Sequence, residues 1–421
     1  MRTAASARIF YGWWNVAASF VGLSLSYAMF TVFAFGTFVT PLEAEFGWSR
    51  AEISVALTVT NITIVFCSPL LGRLVDRVGV RRVLIPSIFL MGVAVASMHQ
   101  MQGNIWHFYL MYLLIPLLGA GTLPLSYSRV IVAWFARRRG IALGISLAGF
   151  GVGATLVPPV GQWLIDNYGW RDAYLAFAAL IIVINLPLTV LLLRESPRAM
   201  GLSVDGDTLP PDDMHAVSAD VGLSNAEARK KRSYWLILVS FLLVGFGVTS
   251  ILAHLVPLLI GRGIAPRVAT LYMASLGAGL IVGRILAGYL MDRFFAPYVT
   301  AMFLLTMCLG IAALALDIRG PMILLAAVSI GLALGSEISE IAYIVSRYFG
   351  SLAFGQIYGI MFAAFQFGSA FGAPAMGLYY DRFGNYVGAL WGLSGVVLLA
   401  AVLISRLGAY PRRTEDRPAG V

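Results

Sequence analysis

Charge is scarce in this sequence. Only 12% of its 421 residues are Asp, Glu, Lys or Arg, against 59% hydrophobic, where soluble domains carry about a quarter charged residues. That scarcity excludes a soluble globular protein. Cysteine is scarcer still: Cys67 and Cys308 both fall in apolar stretches, far apart and without metal-ligand spacing, so they read as packing residues and no metal is expected. Neither a phosphate-binding glycine loop nor a paired nucleophile and base can be found. The chain therefore does not read as an enzyme, and no cofactor is expected.

What is present is a series of twelve apolar stretches of roughly 20 residues, the length a bilayer-spanning helix needs, running from about 14–38 to about 386–406. The pattern predicts an all-α polytopic membrane protein with twelve transmembrane helices in two pseudo-symmetric six-helix bundles: 1–193, a cytoplasmic linker at 194–232, and 233–421. The first stretch is too long for a signal peptide and is expected to remain as a span, flanked by a collar of Arg2, Arg8, Phe10, Tyr11, Trp13 and Trp14. The linker carries Asp205, Asp207, Pro210, Pro211, Asp212 and Asp213, then the basic run Arg229 to Arg232, which reads as an anchor on anionic lipid. With the N-terminus inside, most of the 29 Lys and Arg fall on cytoplasmic segments. This distribution accounts for the net charge of +9 without nucleic acid and places both termini in the cytoplasm, in a cell inner or plasma membrane.

Landmarks recur at an offset of about 215 residues: Gly72 and Asp76 return as Gly288 and Asp292, and Pro159 as Pro374. A duplicated six-helix unit puts a substrate site between its halves, near mid-membrane. Against that background Arg284 stands out, since a cation within a span costs about 2.5–3.5 kcal/mol on insertion scales. Eight residues before Asp292 is Arg284, while eight before Asp76 is Ser68. The duplicated position tolerates a neutral residue, so an anionic ligand is the simplest partner for the arginine.

The run Gly72-Arg73-Leu74-Val75-Asp76-Arg77-Val78-Gly79-Val80-Arg81-Arg82 resembles the signature loop of the major facilitator superfamily. Asp76 can accept hydrogen bonds from arginines and from a helix N-terminus, closing a cytoplasmic gate to which Arg73, Arg77, Asp292 and Arg293 are also assigned. Trp134-Phe135-Ala136-Arg137-Arg138-Arg139-Gly140, leading into a small-residue helix, resembles the second signature of the monocarboxylate transporter family. Tyr11-Gly12-Trp13-Trp14 is faintly similar to that family's first signature, without its acidic residue. The resemblance implies that Arg284 binds the substrate carboxylate. The family's aspartate four residues earlier is Leu280 here, and no lysine lies in the first span, so its proton route does not carry over unchanged. The bacterial oxalate:formate antiporters are similar too, but pair this arginine with a lysine in the eleventh span. No Lys or Arg lies there in this chain, and one buried cation matches a monocarboxylate better than a dicarboxylate.

Glu337 and Glu340, on the tenth span, are the proton-coupling candidates. Their i, i+3 spacing puts them on one face with Tyr343 and Arg347. Glu337 is at a depth that would allow an ion pair with Arg284, while Glu340 either carries a proton or pairs with Arg347 or Arg129. Ser126 and Tyr127 in the fourth span, Tyr27, Phe30 and Thr31 in the first, Tyr343 in the tenth, and Tyr358, Phe362 and Gln366 in the eleventh are candidates to line the cavity. His254 reads as an interfacial hydrogen-bonding residue. The expected function is secondary transport of a small monocarboxylate such as lactate or pyruvate with a proton, by a protein working as a monomer in the lipid bilayer. The rivals are carboxylate exchange, drug/proton antiport and ligand sensing without transport.

Overall fold

Each apolar stretch closes into a long helix, as it must where no water is available to satisfy the backbone. In chain order the helices are α1 (Gly12–Phe46), α2 (Arg50–Val78), α3 (Val80–Gln100), α4 (Ile105–Trp134), α5 (Arg139–Tyr168), α6 (Trp170–Leu192), α7 (Arg232–Gly261), α8 (Pro266–Met291), α9 (Ala296–Ala315), α10 (Pro321–Phe349), α11 (Phe354–Phe383) and α12 (Val387–Ser405). The computed structural model describes residues 10–206 and 222–411. Expectations placed on Arg2, Arg8, Asp207, Pro210, Pro211, Asp212 and Asp213 lie outside the described residues. Eleven of the helices are long and apolar enough to cross a membrane. The remaining one, α11, is diluted by Gln356, Gln366 and its polar end at Tyr379 to Arg382, but it spans 30 residues and packs along α7 and α2. The chain is a multi-pass membrane protein.

Local signals set the helix ends. Ser49 caps α2 in a reciprocal box: its N–H donates to Glu52 Oε2 (2.8 Å), and Glu52 N–H donates to Ser49 Oγ (3.2 Å). Gly47 (φ 68°) ends α1 and Gly384 (φ 70°) ends α11, both left-handed, where a side chain would be strained. Three helices are irregular inside: α1 has a π-helical turn at Met29–Phe33, α4 a 3₁₀ turn at Gly119–Thr122 before Pro124, and α6 a π-helical stretch at Leu180–Asn185. Such turns change which residues face the helix's neighbours.

Helices α1–α6 and α7–α12 form two lobes. Across their boundary α2 packs on α11, α5 on α8, and both α4 and α5 on α10. The two main crossings are equivalent, as the duplicated sequence requires. A methyl on Gly72 would lie 2.0 Å from the Gly355 carbonyl oxygen, and one on Gly140 would lie 2.1 Å from that of Gly288. Only glycine permits such backbone contact. Both contacts sit at the end of the bundle where α1 begins and α12 ends, so the lobes are closed together there. The collar behaves differently from a row of interfacial anchors. Phe10 and Tyr11 pack on Trp134, and Trp13 on Phe135 (ring centroids 5.2–5.6 Å), whereas Trp14 is the exposed member.

Candidate functional site

Four charged side chains are buried among the described residues: Arg139, Arg284, Glu337 and Glu340. Arg284, on α8, is 2% exposed. Its Nε donates to the Gly335 carbonyl on α10 (2.8 Å), and its Nη1 donates to the Leu147 carbonyl on α5 (2.8 Å). The first acceptor belongs to its own lobe and the second to the other, so the guanidinium lies on the lobe boundary. Gly144 makes this approach possible, because a methyl there would sit 2.7 Å from the Arg284 carbonyl oxygen.

Around it the structure gathers some of the expected residues. Glu337 is the carboxylate whose charge acts on Arg284, but the two form no ion pair, and Glu337 Oε2 has no hydrogen-bond partner. The expected resting ion pair is thus replaced by neutral carbonyl acceptors. Tyr358 on α11 also lies within the field of Arg284, and its hydroxyl is beside that of Ser128 on α4, across the boundary, with neither completing a hydrogen bond. Phe362 stacks on Tyr358 (6.1 Å, 18°), and Gln366 continues that face, half-buried. Tyr343 is buried lower on α10, where the Ser346 hydroxyl donates to its carbonyl.

The first-lobe candidates turn inward instead. Tyr127 lies over Gly22, where a methyl would meet its hydroxyl at 2.3 Å, and beside Asn185. Phe30 packs on Phe177 (5.0 Å), and Thr31 donates to its own helix at Tyr27 O (3.0 Å). Tyr27 is buried, with its N–H donating to Thr122 Oγ1 (3.2 Å). Ser126 is buried with its hydroxyl unpartnered. The structure therefore holds Tyr127, Phe30 and Thr31 within the first lobe rather than beside Arg284. Glu340 does not pair with Arg347 or Arg129: Arg347 lies over the Tyr410 ring (4.6 Å) and Arg129 is 3.6 Å from Asp76. His254 Nε2 faces the Ala373 carbonyl (2.9 Å) and must donate to it, which leaves Nδ1 to accept from Tyr386 (3.0 Å).

At the closed end the two duplicated aspartates each cap a helix of the opposite lobe. Asp76 accepts from Gly355 N–H (2.9 Å) and Gln356 N–H (2.8 Å) at the start of α11. Asp292 accepts from Gly140 N–H (2.6 Å) and Ile141 N–H (2.9 Å) at the start of α5. A carboxylate at a helix N-terminus meets both the unsatisfied N–H groups and the positive end of the dipole. Arg73 donates to the Gln356 side-chain oxygen (3.2 and 2.9 Å) in the amide orientation that suits its neighbours. Arg77 is exposed, and Arg293 lies over the Tyr289 ring (4.3 Å), so these two stand beside the junctions rather than in them. One charged residue that bridges the lobes is not among the candidates from the sequence, where it appears only within the Trp134–Gly140 run. Arg139 spans the lobes, donating to Phe135 O (2.9 Å), Val132 O (3.5 Å) and, on α10, Ser346 Oγ (3.2 Å).

Comparisons agree with this architecture. The family model of the Major Facilitator Superfamily matches residues 20–350. The chain is 25% identical over 405 residues to monocarboxylate transporter 11 of Mus musculus, covering 92% of this chain and 85% of that protein. It is 26% identical to monocarboxylate transporter 13 of Rattus norvegicus, covering 93% and 87%. Among solved structures, the proton:xylose symporter XylE superposes with a TM-score of 0.75 at 16% identity, over 94% of this chain and 95% of that one. The fucose:proton symporter FucP of E. coli superposes at 0.66 and 15%, over 93% and 97%. The chain belongs to the Major Facilitator Superfamily.

Proposed function

We propose that this major facilitator carries a small monocarboxylate, of the lactate or pyruvate kind, together with a proton by alternating access, in a cell inner membrane with both termini in the cytoplasm. The observation that carries the reading is the state of Arg284. A guanidinium buried on the lobe boundary is held by two neutral carbonyls and no carboxylate ion pair, which leaves an uncompensated charge where an anion can enter. A carboxylate would meet the guanidinium charge with an opposite charge and can take two of its N–H groups at once, where each carbonyl offers only a dipole. Ser128 and Tyr358, each with an unpartnered hydroxyl, offer partners for a 2-hydroxy or 2-oxo group, and the proton is taken by one of the buried carboxylates of α10, Glu337 or Glu340. The similarity to proteins named monocarboxylate transporters supports the same ligand class. On this reading the closed end is the cytoplasmic gate, formed by Arg73, Asp76, Asp292 and Arg139.

The test is uptake of radiolabelled lactate into proteoliposomes, with and without an inward proton gradient. The gradient should drive accumulation, and Arg284→Gln should abolish it. Arg284→Lys keeps the charge but loses the planar fork. Forfeiting one charge-assisted bond of about 1.5–3 kcal/mol should lower uptake about ten- to a hundredfold. Equal uptake by the lysine variant removes the bidentate contact. Uptake that requires counter-substrate and ignores the gradient replaces symport with exchange.

A further inference from the structure

Glu337 and Glu340 are three residues apart on α10, but three helical steps rotate the second about 60° from the first, and their surroundings differ. Glu337 is under the influence of Arg284 at the lobe boundary. Glu340 is 1% exposed and lies with the hydroxyls of Ser336, one turn back, and Thr300 on α9, inside the second lobe. Its Oε1 completes no hydrogen bond, and Thr300 Oγ1, itself 1% exposed, also completes none. Ser336 Oγ is already donating to Ala333 O (2.8 Å), so Thr300 is the one hydroxyl left to donate to a buried carboxylate.

Among the described residues no cation compensates it: Arg347, two turns on along the same helix, lies over the Tyr410 ring (4.6 Å). On the helices packed against α10, Arg284 is bonded to Gly335 and Leu147, Arg139 to Phe135, Val132 and Ser346, and Arg129 is beside Asp76. Of the other titratable groups, Glu337 and Tyr343 share its helix, Tyr358 on α11 faces Ser128, Tyr127 on α4 turns into the first lobe, and Tyr234 and His254 lie near opposite ends of α7. On α9, Tyr298 is exposed and Cys308 faces Ser394. A buried carboxylate short of donors and without a counter-charge is costly as an anion and satisfiable as an acid.

We propose that Glu340, with Thr300 and Ser336, is a proton-binding site inside the second lobe, separate from the anion site at Arg284. Binding is the single step by which a carboxylate oxygen takes H⁺ to form the acid, whose O–H is then a donor to the hydroxyl cluster. Release returns H⁺ to water on the opposite side. The site moves with its lobe, so its proton can cross while the anion stays on Arg284. The transport half of this inference rests on the proton-coupled reading above.

Two measurements on the full-length protein test it. Infrared difference spectra over a pH titration, taken without substrate, should show the C=O band of a titrating buried carboxylic acid that disappears in Glu340→Gln, persists in Glu337→Gln and shifts its midpoint in Thr300→Val. A spectrum unchanged in Glu340→Gln overturns the site whatever the substrate. In proteoliposomes containing a pH dye, Glu340→Gln should retain lactate counterflow but lose lactate-driven lumen acidification. Acidification per lactate equal to that of the unmodified chain overturns the coupling role. A titrating band in a chain that moves no lactate leaves the proton site standing and refutes the substrate reading instead.

Discussion

Replacing Asp76 by Asn should open the end of the molecule where the lobes now touch. The carboxylate accepts two backbone N–H bonds at the start of α11, at 2.9 and 2.8 Å, with Arg129 Nε 3.6 Å away. Hydrogen bonds to a charged group contribute about 1.5–3 kcal/mol each, and the helix dipole adds about 0.3–1 kcal/mol. Asparagine keeps one acceptor oxygen but loses the charge, so the closed state should lose about 2–3 kcal/mol. At 1.4 kcal/mol per factor of ten, that shifts the closed-to-open ratio by roughly 30- to 150-fold. The assay is pulsed electron–electron distance measurement between spin labels at Val78 and Leu352, both exposed, with Cys67 and Cys308 first replaced. The distance distribution should move to longer values in Asp76→Asn. An unchanged distribution would mean that the other contacts across the boundary hold the lobes and that the aspartate contributes nothing to closure.

Two further outcomes follow from the second junction. Gly288→Ala would place a methyl 2.3 Å from the Gly140 carbonyl oxygen, an overpacking cost of about 1–3 kcal/mol felt only while the lobes are closed. Labels at Arg138 and Phe294 should therefore separate in this variant, and equal distances would show that the backbones relax without opening. Burial pushes the Asp292 carboxyl above the ordinary range, ahead of the opposing effect of its two N–H donors and Arg139. With its pKa raised in the closed state above that of a water-exposed carboxyl, the closed state binds the proton more tightly, so closure at α5–α8 is favoured as pH falls through the raised value. The same label pair read against pH should show this trend and lose it in Asp292→Asn; an identical trend in the variant assigns it to another group.

The features legible in the sequence were those that one residue's chemistry decides. Arg284 was visible because a cation in an apolar run needs a reason, and Asp76 and Asp292 because the motif is duplicated. The structure puts each aspartate on the helix N-terminus of the opposite lobe. What could not be read was rotational phase. In α1 the π-helical turn at Met29–Phe33 inserts an extra residue, turning the face by about 100°, and Phe30 and Thr31 end up inside their own lobe. Tyr127 lies just after the 3₁₀ break in α4, where the helical count restarts at Pro124. Arg139 is named in the sequence only as one of three arginines in the Trp134–Gly140 run, because the start of α5 cannot be placed to within a turn. Ser128 and Thr300 gave no signal, since a serine or threonine in a span usually just bonds to its own helix.

The two acceptors of Arg284 are not equivalent once the lobes move. Gly335 travels with α8 in the second lobe, so that bond survives any rocking. Leu147 belongs to the first lobe, and its carbonyl must leave the guanidinium when the boundary opens around α5. An empty protein therefore exposes a charge-assisted donor at the moment of reorientation, at a cost of about 1.5–3 kcal/mol unless water or another acceptor takes the place. An anion already held by the arginine removes that cost, because it moves with the second lobe and replaces the lost carbonyl. On the proposed reading, the bond between Arg284 and Leu147 thus penalises movement of the empty carrier relative to the loaded one. A symporter must return empty, so this cost falls on the return step, and an anion supplied on the far side should remove it and accelerate lactate flux.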